Sequence, residues 1–555
     1  MDRKVENIDE VLQASGVEDS STTTTPSPAP APAPAPTVVV RRSRLRMVAP
    51  ASSAAPSTSQ THPVAVVRPA AIKVDPNVRI YVNGTPALIW SPPPHSDRSL
   101  LQRDTTVGIP QSLNPSSSAG LTEVVMGLDF GTSSTKVVIA DRSTKAGYAV
   151  PFTDLLGIAA YLLPSQLGEL DGQYRLDHKG HCHSDLKLAM LANMNDSATN
   201  ERVCAFLALV IRSARAWLFT HHRDRYHGKD LVWSLALGQP ADQSTSEQSR
   251  KHFENLGMAA WALAGGSGDI SVASCAEVWA RTKAGELQDV DVDVLVMPEL
   301  AAQIHGFVSS SHFDAHQRHF YLMVDVGAGT VDASLFRVVK RNHGKVDFDF
   351  FTSSVETNGA ASMHRERVGW WQEKLAPFEQ CAELIQKLEE IRLPTELRGA
   401  YPNKYSDYVR GPVAHFEGDT KNPDEAFFCR LRQQVVGNVL FGAWKQNYMT
   451  QKDLAGVPYF LCGGGARHSL YQRLHPALQR TEGATWLRAT PRELVCPTEL
   501  DANGVLRMDY HRLSVAYGLS KLTLGEVQQV GQLQPIVTIE SHAQWDQHYL
   551  SKDAC

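Results

Sequence analysis

Phe320-Tyr321-Leu322-Met323-Val324-Asp325-Val326-Gly327-Ala328-Gly329-Thr330-Val331-Asp332-Ala333-Ser334-Leu335-Phe336 reads as an apolar strand ending in aspartate, a Gly-x-Gly-Thr turn, a second aspartate and another apolar strand. An upstream segment has the same design: Val124-Val125-Met126-Gly127-Leu128-Asp129-Phe130, then Gly131-Thr132-Ser133-Ser134-Thr135-Lys136, then Val137-Val138-Ile139-Ala140-Asp141. A turn glycine lets the backbone come close to an anion, and successive N–H groups and hydroxyls cradle phosphate oxygens. An aspartate at a strand end suits the water shell of Mg²⁺, and Lys136 suits phosphate charge. Taken alone, the upstream segment also reads as an ordinary hairpin with a Ser/Thr turn. Two such hairpins facing each other would clamp a polyphosphate and Mg²⁺ between them.

A third element lies further on. Pro458-Tyr459-Phe460-Leu461-Cys462 is an apolar strand, Gly463-Gly464-Gly465 a turn without side chains, and Ala466-Arg467-His468-Ser469-Leu470 the entry to a helix. Backbone N–H groups at such a place approach a ribose or phosphate closely.

These three segments, in this order, resemble the phosphate and adenosine motifs of the superfamily that contains actin, sugar kinases and the seventy-kilodalton heat-shock chaperones. Lys136, seven residues after Asp129, resembles the actin and sugar-kinase form. Asp-x-Gly-x-Gly-Thr-x-Asp at 325–332 resembles the heat-shock chaperones and cell-division actin homologues. Trp233–Ala241 resembles the chaperones' strand and Val-Pro-Ala turn, Met297–Gly306 their connecting helix, and Arg512–Ser520 their closing Ala-x-Ala-x-Gly helix. The resemblance spans residues 121–531 and implies an α/β fold: a two-lobed, actin-like ATPase of duplicated ribonuclease-H-like domains. It implies ATP or ADP with Mg²⁺ as ligands. Asp129 and Asp325 would hold the metal through water, and Thr330 and Asp332 would position the γ-phosphate and attacking water. The loops Gly131, Thr132, Ser133, Ser134, Lys136, Gly327, Ala328, Gly329, Gly463, Gly464, Gly465 and Arg467 would bind the nucleotide.

Departures from the family bear on activity. Met297 stands where the chaperones carry the glutamate of Glu-Pro, and a thioether neither accepts a proton nor holds a metal-bound water. Glu299 is the nearest carboxylate, but two residues along a helix differ by about 200° and should point apart. Lys187 matches the chaperones' catalytic lysine by position only, and Lys136 competes for that role. The resemblance also implies a peptide-binding domain after the ATPase. Here Leu533-Gln534-Pro535-Ile536-Val537-Thr538-Ile539-Glu540 and a polar tail follow instead, an added strand or a docking segment.

Composition frames the rest. Net charge is −5 over 555 residues, with no polyanion footprint, which argues against nucleic acid. Eight cysteines include no Cys-x-x-Cys pair, the N-terminus has no apolar leader, and residues 203–219 carry Arg212 and Arg215, too short and too charged to span a bilayer. A soluble protein of the reducing cytoplasm is expected. Residues 1–77 read as disordered and Pro/Ala-rich: a short amphipathic stretch at 2–14, an alternating Pro-Ala spacer at 28–36 and a basic arm at 41–46. Residues 78–120 read as a linker with a small hairpin turning at Asn83-Gly84, 121–310 as lobe I, 311–531 as lobe II with a helix returning to lobe I, and 532–555 as a tail. The stretch Asp177–Asp185 is rich in metal-ligand types but matches no zinc spacing, and Trp370-Trp371 suggests an amphipathic helix in lobe II. The functional expectation is a slowly hydrolysing, chaperone-like switch acting on a protein partner or co-chaperone. A nucleotide-binding pseudo-ATPase module and an actin-like filament protein stay open; a small-molecule kinase fits the first loop but not the second.

Overall fold

The elements that position the site are, in chain order, β1 (Val78–Leu88), β2 (Thr122–Phe130), β3 (Ser134–Asp141), β4 (Gly147–Ala149), α1 (Leu186–Ala192), α2 (Ser197–His221), β5 (Leu231–Gln239), α3 (Glu247–Gly265), α4 (Val272–Lys283), β6 (Asp293–Pro298) and α5 (Glu299–Val308). They continue with β7 (Phe320–Val326), β8 (Val331–Lys340), β9 (Val346–Glu356), α6 (Ala360–Leu375), α7 (Ala382–Arg392), β10 (Val409–Phe416), α8 (Pro423–Arg432), β11 (Ala455–Cys462), β12 (Arg488–Arg492), α9 (Ser514–Ser520) and β13 (Val527–Gln532). This computed structural model describes residues 77–91, 100–108 and 122–532, except 178, 227–228, 241–246, 288–289, 309–319, 341–345, 393–400, 482–483 and 523–526. The expectations for the N-terminal 76 residues and for the segment after 532 lie outside the described residues.

The protein is mixed α/β, and its two large sheets share one strand order. The first runs β6-β5-β2-β3-β4 and is extended by Leu500–Asp501; the second runs β12-β11-β7-β8-β9-β13. In each, a central hairpin (β2–β3, β7–β8) and the strand beyond it are antiparallel, while two strands on the other side run parallel. Strands β2 and β7 are buried along almost their whole length. That is why their sequences read as unbroken apolar runs rather than alternating ones.

Helices α2, α3 and α4 cover one face of the first sheet, and α6 and α8 contribute to the core on the second. Between the sheets, Leu300 and Ile304 of α5 and Val515 and Leu519 of α9 pack with Val125 and Ala236 of the first sheet and Met323, Phe336 and Phe460 of the second. The crossing of α9 is close because it has no side chains at two points. A Cβ on Gly518 would lie 1.7 Å from the Ala302 carbonyl oxygen of α5, and one on Gly127 would lie 2.2 Å from that of Ala516. Gly518→Ala therefore forces α9 off α5 and should cost about 2–4 kcal/mol, read as a lower urea midpoint of the full chain. An unchanged midpoint would rule this crossing out.

Helix α2 is long and apolar enough to cross a membrane, but 83% of its most apolar window is buried inside the protein. Arg212 is part of that burial, donating to the carbonyls of Leu263, Gly266 and Gly268 where α3 ends. Such bonds satisfy the orphan carbonyls of a helix C-terminus.

Residues 78–90 correct the sequence reading. They form no hairpin; β1 is one strand, antiparallel to β10, with Val82 opposite Pro412 and Ala87 opposite Arg410. Asn83 and Gly84 belong to the bulge between those pairs, so the turn-prone dipeptide is used within a strand because a partner strand is present. Ile80, Val82, Leu88 and Trp90 pack against the cluster of Trp371, Leu384, Leu388 and Tyr408, which makes this stretch part of the second sheet's surroundings rather than a linker.

Candidate functional site

The two hairpins place their aspartates at equivalent positions. Asp129 pairs across β2–β3 with Lys136, and Asp325 pairs across β7–β8 with Asp332. Lys136 Nζ donates to Asp129 Oδ2 at 2.9 Å. Both hairpins open onto one cleft of about 960 Å³, which the triple-glycine turn also lines. The volume is within the range of small-molecule sites.

Every sequence-predicted site residue lines this cleft except Gly329. There the opposing turns meet: a Cβ on Gly329 would lie 3.0 Å from Leu188 and 3.5 Å from Thr132. The first turn is braced by Ser165, whose hydroxyl donates to the Gly131 carbonyl at 2.6 Å and bonds the Thr135 hydroxyl at 2.9 Å. The second closes through Gly327 N–H to Thr330 O at 2.9 Å. Buried Gln434 supports the start of β8 by donating to Val331 O at 2.8 Å. Gly463, with φ of +84°, leaves room that Asp325 uses, since a Cβ there would lie 2.0 Å from Asp325 Oδ1.

Glu299 corrects the second sequence reading. Met297 is not on a helix: it is in β6, 2% exposed within the apolar layer between the sheets. The chain turns into α5 only after Pro298, so the helical offset between 297 and 299 does not apply. Glu299 faces the cleft, and its Oε1 accepts from Lys187 Nζ at 2.5 Å. Gly238 makes room for it, because a Cβ there would lie 2.7 Å from Glu299 Cγ. Gln303, one turn further along α5, also lines the cleft.

The charges are tightly coupled. Burial, then the carboxylates of Glu299 and Asp129, push the Asp325 carboxyl up to about 7, against the pull of Lys136 and Lys187. Burial works to lower the pKa of Lys187, but Glu299, Asp129 and Asp325 outweigh it and leave it raised. Both lysines weighed from the sequence therefore stand in the site, Lys136 on Asp129 and Lys187 on Glu299.

Arg467 lines the cleft but leans away from its floor: it pairs with Asp509 at 2.7 Å and donates to Met508 O at 2.6 Å. Sequence reasoning missed Arg365, Tyr401 and Arg512. Arg365 reaches Asp185, the residue before α1, at 3.7 Å across the mouth of the cleft. Tyr401 stacks on His364 at 4.8 Å. No spacing rule in the sequence marks these three. Trp370 and Trp371 do lie on a helix, α6, but pack away from the cleft against Tyr405. In the Asp177–Asp185 stretch His183 pairs with Glu169 at 2.8 Å, and no group of three or more His, Cys, Asp or Glu arranged to hold a metal occurs among the described residues.

The chain matches no protein-family model and no curated protein.

Proposed function

We propose that the chain is an ATP-binding protein of the heat-shock-chaperone type, a two-lobed actin-like ATPase that hydrolyses ATP slowly and acts as a switch on a protein partner. One observation carries the reading: Asp129 and Asp325 end the central strands of two sheets of the same strand order and open onto one cleft whose third wall is a triple-glycine turn. That order, with a central antiparallel hairpin flanked by parallel strands, supports duplicated ribonuclease-H-like domains as lobes. Helices α5 and α9, packed between the sheets, supply the element through which a ligand would set the angle between them.

The residues fit a Mg²⁺–polyphosphate. Burial, and then the neighbouring carboxylates of Glu299 and Asp129, raise the pKa of Asp325, a cost that a divalent cation relieves. The glycines of all three turns lie where side chains would fill the cradle. Asp129 and Asp325 would hold the ion through water, as hard oxygen ligands do for Mg²⁺. When bound, Mg²⁺ supplies neutralisation of the phosphate charge. Lys136 and Lys187 add to it, and Thr330 and Asp332 orient the terminal phosphate and the water. Glu299, rather than the residue at 297, is the carboxylate placed to accept the water's proton, with Lys187 holding its orientation. A cytoplasmic setting is part of the proposal; Cys204, Cys275, Cys381 and Cys462 are buried as free thiols, in keeping with a reducing compartment.

The test is calorimetry and turnover on the full chain. Tight, Mg²⁺-dependent binding of ATP and ADP with slow phosphate release is expected. Absence of nucleotide binding overturns the proposal, and tight binding without any turnover reduces it to a nucleotide-dependent binding module.

A further inference from the structure

The floor of the cleft contains a cation that the two hairpins do not supply. Arg512 ends the short 3₁₀ segment Arg507–Arg512, just before α9, and is partly buried along the cleft wall. Its guanidinium lies over the triple-glycine turn: a Cβ on Gly464 would be 3.2 Å from Arg512 Cζ. Among the described residues no hydrogen bond or ion pair holds it, whereas Arg467 beside it is paired with Asp509. Asp129, Asp325 and Asp509 are close enough to act on it electrostatically, although burial lowers its pKa overall. A guanidinium stays charged in proteins, and a half-buried one without a partner is costly unless a ligand completes it.

We propose that Arg512 is a phosphate-binding residue of the cleft, presenting its fork to an anionic phosphate lying between Gly464 and the Asp325 floor. This rests on the reading of the cleft as a polyphosphate site and deepens it. It makes the phosphate chain, rather than the nucleoside, the part of the ligand that contacts the segment leading into α9. Ligand charge then acts on the helix packed between the sheets.

The experiment is calorimetry of the full-length wild type, Arg512→Gln and Arg512→Lys with ATP, ADP, adenosine and inorganic tripolyphosphate, all with Mg²⁺. Arg512→Gln should weaken ATP, ADP and tripolyphosphate by about 10- to 100-fold and leave adenosine unchanged. Arg512→Lys should fall between, keeping the charge but losing the fork. The thermal midpoint of ligand-free Arg512→Gln should not drop, since no hydrogen bond or ion pair is lost and the burial of an unpaired charge is relieved. Equal losses for adenosine and ATP, or a lower ligand-free midpoint, would assign Arg512 a structural role and overturn the proposal. Undiminished ATP binding by Arg512→Gln would also overturn it and leave the nucleotide reading standing. Arg512-dependent binding of tripolyphosphate that ATP does not better would keep Arg512 and remove the nucleoside. If the wild type bound neither, both readings would fall.

Discussion

Asp325→Asn should abolish Mg²⁺-dependent nucleotide affinity and, in the same protein without ligand, raise thermal stability at pH 8. The two effects have one cause. Asp325 sits half-buried in the cleft beside the carboxylates of Glu299 and Asp129; burial first, then these charges, hold its carboxyl up to about 7. In the unfolded chain it would ionise near 4. Between those values the folded state binds more protons than the unfolded state, so stability falls as pH rises from about 4 to about 7 and stays low above. A three-unit shift sets an upper bound of about 4 kcal/mol on this contribution. Asparagine has nearly the same shape and no charge, so the variant should lose this pH dependence and melt a few degrees higher at pH 8 with chelator present. With Mg²⁺ and ATP the order reverses, because only the wild type gains from ligand. Calorimetry should show a loss of at least about 100-fold, the scale of an oxygen ligand and a charge removed together. A variant that kept its affinity would remove Asp325 from the metal site. One that melted lower without ligand would show that Asp325 is paired rather than strained.

The second large effect concerns hydrolysis. Glu299→Gln should lower turnover by about 100- to 1,000-fold while leaving ATP affinity nearly unchanged, because glutamine keeps the shape and the bond from Lys187 but accepts no proton. Met297→Glu tests the opposite assignment. Residue 297 is buried at 2% exposure in the apolar layer between the sheets, so a carboxylate there should destabilise the fold without adding turnover. Single-turnover phosphate release, normalised to nucleotide bound, separates the two. Faster release by Met297→Glu, or full activity in Glu299→Gln, would return the chemistry to position 297.

The offset between 297 and 299 depends on where a strand hands over to a helix, and Pro298 allows that boundary on either side of it. The hairpins at 129–136 and 325–332 were legible because each is local: apolar run, aspartate, turn and apolar run lie within one short stretch, and the register follows from it. The pairing of β1 with β10 was not, since Val78 meets Phe416 far along the chain and no local pattern announces a distant partner. Asn83-Gly84 reads as a turn in its own sequence for the same reason, although the partner strand makes it a bulge. Arg512 and Arg365 reach the cleft from segments whose own sequence looks structural, and only the folded arrangement gives them a role. The resemblance makes Arg467 a nucleotide-binding residue, and its partners here are Asp509 and Met508.

The pairing of β1 with β10 also sets a timetable for the growing polypeptide. Leu88 emerges from the ribosome long before Val409, its partner in the finished sheet. At roughly 10 residues per second, β1 waits on the order of half a minute for that partner. Throughout that interval its main-chain donors and acceptors, flanked by Ile80, Val82 and Trp90, are open to any other strand in reach. The first sheet waits longer still, because α9, which packs on Gly127, is made only near residue 520. Both the β1–β10 pair and the packing of α9 on Gly127 therefore form only late in synthesis, and the nascent chain should bind holding factors until then.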